Sequence, residues 1–359
     1  MFQFIKTFLF VINIILAIAF LFAAFAGKIN PNHFGFAYLL VLLFPVFLLI
    51  NSLFFVWWLL IKPKRILISG VAILISSGSV FHFFSFHFFS KFNENKPADN
   101  IRIATWNINY LSGGHDECIA QIKELNPDIL CLQEFVSKYK NKDIPDNIYM
   151  ITTAASLKYH YTFYDDKLGA GNYNGNIIFS KYPIIDSGNY LYSEEIRDYL
   201  DYIDISINNR MVRIYTTHLQ SNFFNPSDRE KIEEVKRNKG NVLNNGFFII
   251  DRLIKSEKMR SIQVDKAKAL IAQSPYPTLF CGDCNDVPNS YTYENIKGNM
   301  QDVFIKKGFG IGRTYNAIAP TLRIDYIFAD KNFSVQQVKR FVNNNSDHYM
   351  LVADLKLKN

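Results

Sequence analysis

Seven places in the chain put polar groups where an apolar run ends or is broken. They are Asn107 after "RIATW", Glu134 closing "ILCLQE", Asn176 opening "NIIFSKYPI", His218 ending "RMVRIYTTH", Asp283 and Asn285 after "PTLFCG", Asp325 inside "LRIDYIF", and Asp347-His348 ahead of "YMLVADLKL". Asp, Asn, Gly and Pro also form turns, so each place by itself reads equally well as a turn. The set has chemistry that the single members lack. Glu134 and an amide such as Asn107 are hard oxygen donors, suited to Mg²⁺ or Mn²⁺ rather than to zinc. Asp283 can take a proton from water, and Asn285 can orient that water or bond a phosphoryl oxygen. A carboxylate inside an apolar strand is expensive without a partner, so Asp325 calls for one, and a histidine is the natural choice. Two histidines can stabilise developing negative charge or protonate a leaving oxygen. Together these groups equip a site for metal-assisted hydrolysis of a phosphate ester.

The elements that must hold these groups follow from the apolar pattern. "RIATW" reads as a strand. In "HDECIAQIKELNPD", Ile119, Ile122 and Leu125 lie at helical spacing and Asn126-Pro127 ends the helix. "ILCLQE" is the next strand, so the order is strand, helix, strand, the signature of an α/β layer. Further strands are expected over 174–184, 210–221, 277–280, 322–328 and 346–357, with a charged helical stretch over about 227–273.

Charge is distributed unevenly. Residues 1–95 hold six Lys/Arg and one acid, Glu94; subtraction from the totals of 39 and 32 leaves 33 basic and 31 acidic residues in 96–359. The net +7 therefore belongs mainly to the first quarter, and the remainder is not the basic body of a tight nucleic-acid binder. Cys118, Cys131, Cys281 and Cys284 are too few for a disulfide framework. The C-x-x-C of Cys281 and Cys284 has no second pair at zinc spacing, so these read as small buried hydrophobes.

Three uncharged apolar runs, 7–26, 35–61 and 66–88, are each long enough to cross a bilayer as a helix. Lys6 followed by the first run and Ala24-Phe25-Ala26 also has the form of a signal peptide, but the apolar stretch favours an anchor. Pro45 is expected to kink the second helix. His82 and His87, in "FHFFSFHFF", read as interfacial aromatics with amphipathic histidines. Lys62, Lys64 and Arg65 sit between the second and third runs and hold that loop, with the N-terminus, in the cytoplasm. Three spans then carry the rest of the chain outward. The expected organisation is a membrane anchor over 1–90, a polar linker over 91–100 and a catalytic domain over 101–359.

The motifs, in this order, resemble those of the endonuclease/exonuclease/phosphatase superfamily: "TWNI", "LQE", "GNIIFSKYPI", "TTHLQS", "CGDCND", "RIDYIF" and "SDHYMLVADL". The resemblance covers roughly residues 100–357. It implies the deoxyribonuclease-I-like fold, a four-layer α/β sandwich of two mostly antiparallel sheets with helices outside. It implies that Asn107 and Glu134 bind Mg²⁺, with Asp347 supporting the metal site. Asp283 would activate water and Asn285 orient it, while His218 and His348 contact the scissile phosphate and Asp325 pairs with His348. By its own position, Asn176 either caps a strand turn or touches substrate. Cys284 departs from the family's usual aromatic after Gly-Asp, and residues 226–260 are longer than many members have there. That stretch reads as a solvated helical hairpin, or as a lid or partner surface. Arg323 can reach a phosphate or form an ion pair. Because the family contains nucleases, inositol-phosphate phosphatases and sphingomyelin phosphodiesterases, the motifs specify the reaction more closely than the substrate. A membrane-anchored phosphodiesterase or nuclease, a phosphatase or lipid-headgroup hydrolase, and an inactive binding module all stay open. Partners are accordingly a phosphate-ester substrate and the lipid bilayer.

Overall fold

The computed structural model describes residues 2–139, 144–163, 172–194, 198–222, 231–235, 237, 242–317 and 319–358. The chain forms two compact units. The first comprises Met1–Phe83, Gln220–Ser261 and Val287–Glu294; the second comprises Phe84–Leu219, Ile262–Asp286 and Asn295–Asn359.

The second unit is built on two six-stranded sheets. One runs β13(Phe333–Phe341), β14(Met350–Leu357), β2(Ile101–Asn107), β3(Ile129–Lys138), β5(Asn172–Ser180), β4(Tyr159–Thr162). The other runs β10(Gln301–Asp302), β12(Asp325–Ala329), β9(Thr278–Asp283), β8(Arg210–His218), β7(Tyr199–Ile207), β6(Ile184–Leu191). Each sheet has one parallel pair, β2 with β3 and β8 with β9, and is otherwise antiparallel. A short pair, β1(Ser85–Phe86) with β11(Phe309–Gly310), lies apart from both.

Alternation explains the layering. Ile103, Ile129, Cys131 and Ile178 of the first sheet meet Ile203, Ile205, Val212, Ile214, Leu279, Cys281 and Ile327 of the second in one buried cluster. The opposite face of the first sheet, Ala104, Trp106, Leu130, Leu132 and Phe179, packs against Cys118 and Ile122 of the helix His115–Leu125 and Ile151 of the helix Asn147–Ala155. The opposite face of the second sheet buries Tyr215, Phe280 and Phe328, and the Tyr215 hydroxyl bonds the Leu270 carbonyl of the helix Val242–Ala272. Helix, sheet, sheet, helix is the four-layer architecture of the deoxyribonuclease-I-like fold. The four cysteines are free and buried.

The strands that carry motifs fall where their apolar runs predict, with shifts at the ends. The strand expected over 277–280 continues to Asp283, and Asp325 opens β12 rather than interrupting it. Strands β4, β6, β7 and β13, whose mixed polarity resembles exposed loop, escape a reading by apolar runs. Of the stretch expected to be helical over 227–273, residues 231–235 and Val242–Ala272 are helical; much of 226–241 lies outside the described residues. Arg323 takes the ion-pair alternative, with its Nη1 2.5 Å from Asp302 Oδ2 and the pair buried.

In the first unit, α1(Phe2–Phe25) and α2(Ala37–Ile61) are long and apolar enough to span a membrane. Pro45 sits inside α2. The third span expected over 66–88 is not one continuous helix. It breaks into α3(Ile66–Ile75) and α4(Ser77–Phe83), bent by 63°. Ser76, Ser77, Gly78 and Ser79 are weak helix formers, and the Ser79 hydroxyl donates to the Ala24 carbonyl. The unit thus has two candidate spans, or three with the bent pair counted as one. Arg65, just before α3, bonds the Lys6 carbonyl, while Ser79 in α4 bonds that of Ala24. These carbonyls are about 27 Å apart along α1 at 1.5 Å per residue, close to the hydrocarbon thickness of a bilayer. Inside the apolar bundle, Asn13 donates to Ser69 Oγ at 2.8 Å and accepts from the Trp58 indole at 3.0 Å, the kind of polar contact that ties membrane helices together.

Two later segments of sequence belong to this unit. Arg260 is fully buried with Glu257 and donates to the Gln220 carbonyl and to Asn222 Oδ1. Asn289 donates to the Ser79 carbonyl, and His82 meets Glu294 at 3.0 Å.

Glycine matters most at Gly282, between β8 and β9. A Cβ there would stand 2.3 Å from the Thr217 carbonyl oxygen, so a side chain forces the two strands apart. Gly282→Ala is expected to cost about 1–3 kcal/mol, the usual scale for overpacking. Chemical denaturation of the full chain in detergent measures this, and an unchanged midpoint would refute the close approach.

Candidate active site

The strand ends converge because the sheets set their register. Across the parallel pair, His218 is opposite Asp283, and across the antiparallel pair, Asp325 is opposite Asp283. Three groups from three strands are thereby neighbours although 65 and 42 residues separate the outer two from the middle one. Asn107 ends β2 in the facing sheet. Its Nδ2 donates to Asp283 Oδ2 at 3.0 Å and to Glu134 Oε1 at 2.9 Å, linking the two sheets.

Glu134 sits where the β3–β5 register shifts, between Leu132 and Phe135, and has φ of 48°. A left-handed residue at a bulge turns its side chain out of the alternation, which is how a strand interior delivers a carboxylate to the site. His218 Nε2 lies 3.6 Å from both Glu134 Oε1 and Asp283 Oδ2. His348 precedes β14 and directs Nδ1 to Asp325, 2.9 Å from Oδ2 and 3.2 Å from Oδ1, with Asp283 Oδ2 at 3.7 Å. Its carbonyl accepts from the Trp106 indole at 3.0 Å.

Asn285 is also left-handed, with φ of 51°. Its backbone N–H donates to Asp283 Oδ1 at 2.8 Å, and its side chain donates to the Leu219 carbonyl at 2.8 Å. The turn reading is thus a correct local description: the turn closes over the carboxylate that it follows. Asn176 lies further out, donating to Asp201 Oδ2 at 2.9 Å, and lines a cavity of about 200 Å³ together with Glu134 and His218. Asp347 stands somewhat apart. Its carboxylate meets Ser346 Oγ at 3.4 Å, and its charge acts on His348.

The ligand atoms of Asp283, Asp325 and His348 lie within 4.8 Å of one another, close enough to hold a metal ion. Glu134, one hydrogen bond away through Asn107, adds oxygen ligands on the more exposed side, whereas Asn107 turns its Nδ2 toward the cluster and its Oδ1 accepts from the Asn109 N–H. Electrostatics couple the cluster. Burial raises the Asp283 carboxyl, and the nearby Asp325 raises it further, against His348, His218 and Asn107. Burial opposes a charged His348 ring, but Asp325 and Asp283 outweigh it and raise the ring to about 10.

Some supporting contacts left no mark in the sequence. Thr314 Oγ1 accepts from the N–H groups of Ile324 and Asp325 and fixes the start of β12. Gln133 bonds Thr216 across the buried space between the sheets. Asp198 and Asp201 line the cavity from outside any motif.

The family model described as Endonuclease/Exonuclease/phosphatase family matches residues 104–348. A second model, a domain of unknown function (DUF8431), matches residues 6–83. No curated protein matches the chain. Among solved structures, the chain is similar to an endonuclease/exonuclease/phosphatase from Beutenbergia cavernae, with 18% identity over 72% of each chain and a TM-score of 0.49. It is similar to the human Nocturnin catalytic domain with bound sulfate anion, with 16% identity over 74% of this chain and 97% of that one, TM-score 0.48. It is also similar to a mannosyl-6-phosphatase from Bacteroides thetaiotaomicron, with 15% identity over 71% and 99%, TM-score 0.46.

The raised His348 yields a pH prediction for the metal-free protein. A ring at 6.5 when unfolded and about 10 when folded contributes stability that is fully present below pH 6.5 and lost as pH rises through 10. Unfolding free energy in EDTA should therefore decline over that window, and Asp325→Asn should flatten the decline. Equal slopes in the two proteins would disprove the pairing as its cause.

Proposed function

The chain belongs to the endonuclease/exonuclease/phosphatase family, and on that premise we propose that it is a membrane-anchored, divalent-metal-dependent phosphodiesterase. The observation that carries the reading is the fully buried Asp283 carboxylate, ringed by Asn107, Asn285, His218 and His348. A structural carboxylate needs neutralising by one partner. This one instead has two histidines at 3.6–3.7 Å, beyond hydrogen-bond distance, so neither ring is committed to it.

Glu134 would hold Mg²⁺ or Mn²⁺, with Asp347 supporting the site; Asn107 would join it with its amide turned over, since its Nδ2 here faces Glu134 and its Oδ1 accepts from the Asn109 N–H. The donor chemistry fits, because Glu134 offers hard oxygens and its side chain is 23% exposed and so reachable from solvent. The bound ion would act as Lewis acid toward a phosphoryl oxygen. Asp283, its carboxyl raised by burial, accepts the proton of the attacking water at Oδ2. Asn285 holds Asp283 Oδ1 by its backbone N–H, and so fixes the direction of that acceptor. Asp325 keeps His348 charged, and the Nδ1 contact leaves Nε2–H for a phosphoryl oxygen or the leaving group. His218 supplies a second donor at the mouth of the site.

A phosphatase or lipid-headgroup hydrolase is the second reading. It is favoured by the apolar helices α1 and α2, which would keep a site near lipid. On topology, we propose that the catalytic unit faces away from the cytoplasm. Lys6 and Arg65 share one end of the bundle, and the bent pair α3–α4 covers the length of α1, which supports a broken third span.

Three tests apply to the full chain in detergent or in cells. EDTA should abolish hydrolysis of a chromogenic phosphodiester and Mg²⁺ or Mn²⁺ restore it; activity that survives chelation removes the metal from the mechanism. Asp283→Asn should lower kcat by roughly 10²- to 10⁴-fold. In His348→Ala and Asp325→Asn, the double variant should cost little more than the worse single. Protease added to intact spheroplasts should remove the catalytic unit, and its protection until lysis would reverse the topology.

A further inference from the structure

The cavity beside the candidate active site is unusual in its walls. Its described lining carries three carboxylates, Glu134, Asp198 and Asp201, and no Lys or Arg. A divalent ion on Glu134 would leave Asp201 without a positive partner among the described residues, while Asp198 has His218 nearby. Asp201 is 3% exposed, and its Oδ1 has no hydrogen-bond partner. Neither has the buried Oδ1 of Asn176, whose Nδ2 is committed to Asp201 Oδ2. Asp198 receives one donor, Gln263 Nε2, at 2.9 Å. Two orphan acceptors on residues that line one cavity are costly, and among the described residues none donates to them. Burial raises the Asp201 carboxyl to about 7, as a carboxylate without a positive partner requires. Aromatic rings complete the walls. Phe163 and Tyr199 lie with centroids 5.1 Å apart, and Tyr110 stands half exposed opposite, on a left-handed turn with φ of 53°.

A group that satisfies all of these features donates N–H, accepts nothing, carries positive charge and tolerates aromatic faces. That describes an ammonium group. We propose that the cavity lined by Asp198, Asp201, Asn176 and the aromatic rings binds an ammonium group carried by the substrate, so that the enzyme selects phosphoesters of amino alcohols. The inference rests on the proposed phosphoesterase activity and adds its substrate class. The cavity adjoins Glu134 and His218, so an ammonium two or three bonds from a phosphate bound there lies within reach of Asp201. A neutral sugar would also bring donors, but it would leave Asp201 without counter-charge.

The test compares 4-nitrophenyl 2-aminoethyl phosphate with 4-nitrophenyl 2-hydroxyethyl phosphate, using the full chain in detergent with Mg²⁺. In each, water adds to phosphorus, 4-nitrophenolate leaves, and the other ester bond stays intact. The amino ester should have kcat/KM higher by about tenfold or more, the scale of one partly desolvated charge pair. Asp201→Asn should shrink that ratio toward one, and Asp198→Asn, at a less buried position, should shrink it as well. Equal rates for the two esters, or a ratio unchanged in both variants, overturn the inference while leaving the phosphodiesterase reading intact. If neither ester is cleaved, the activity reading fails, and binding decides the subsite. By calorimetry, 2-aminoethyl phosphate should then bind about tenfold tighter than 2-hydroxyethyl phosphate, and lose that margin in Asp201→Asn; equal affinities overturn it. Vesicles of phosphatidylethanolamine against vesicles of phosphatidylglycerol identify the source. Preferential release of phosphoethanolamine extends the selectivity to lipid headgroups, and selectivity confined to the soluble esters assigns it to a soluble substrate.

Discussion

A fully buried carboxylate must be compensated or it will not stay charged, and Asp283 imposes that condition on the rest of the catalytic unit. Its donors cannot come from its own strand, because neighbouring residues on a strand face opposite sides. They come instead from Asn107 in the other sheet, from His218 across a parallel pair, and from the turn at Asn285. His348 arrives from the start of β14, the neighbour of β2 in the first sheet, held by Asp325 and by the Trp106 indole. The two sheets must therefore meet at one end with their strands in one register. The parallel pair β8–β9 must also be close enough that only glycine fits at position 282.

The same condition explains the local distortions. Glu134 and Asn285 both adopt left-handed backbone conformations, which non-glycine residues avoid unless the surroundings compensate. At Glu134 the bulge turns a carboxylate toward the site; at Asn285 it aims an N–H at Asp283. Both distortions lie beside the charge that they serve.

The first unit is more than a run of apolar helices. Segments 220–261 and 287–294, which flank the His218 strand end and the Asp283 turn in sequence, belong to that unit. Arg260 binds the Gln220 carbonyl two residues after His218, and Asn289 binds the Ser79 carbonyl four residues after Asn285. In a bilayer-proximal setting such buried polar contacts replace water as the partner of backbone carbonyls.

Much of the candidate site was legible in the sequence. Apolar runs ending in Asn, Glu, His or Asp mark strand ends, and the seven motifs in order carry the family resemblance. The hydrophobic core, the helix His115–Leu125 and the two long apolar helices follow from periodicity and length. The break in the third apolar run was hidden, because hydropathy counts apolar residues and does not weigh four consecutive weak helix formers. Strands β6 and β7 and the residues Asp198 and Asp201 were equally hidden. Their signal lies in neighbours supplied by other strands. A sequence determines which residue types stand at which ends and which faces are apolar, since these are local and periodic. Only the tertiary structure decides which ends meet, which acceptors are left without a donor, and which carboxylates share a cavity, because those depend on strand register and sheet packing between residues far apart in the chain.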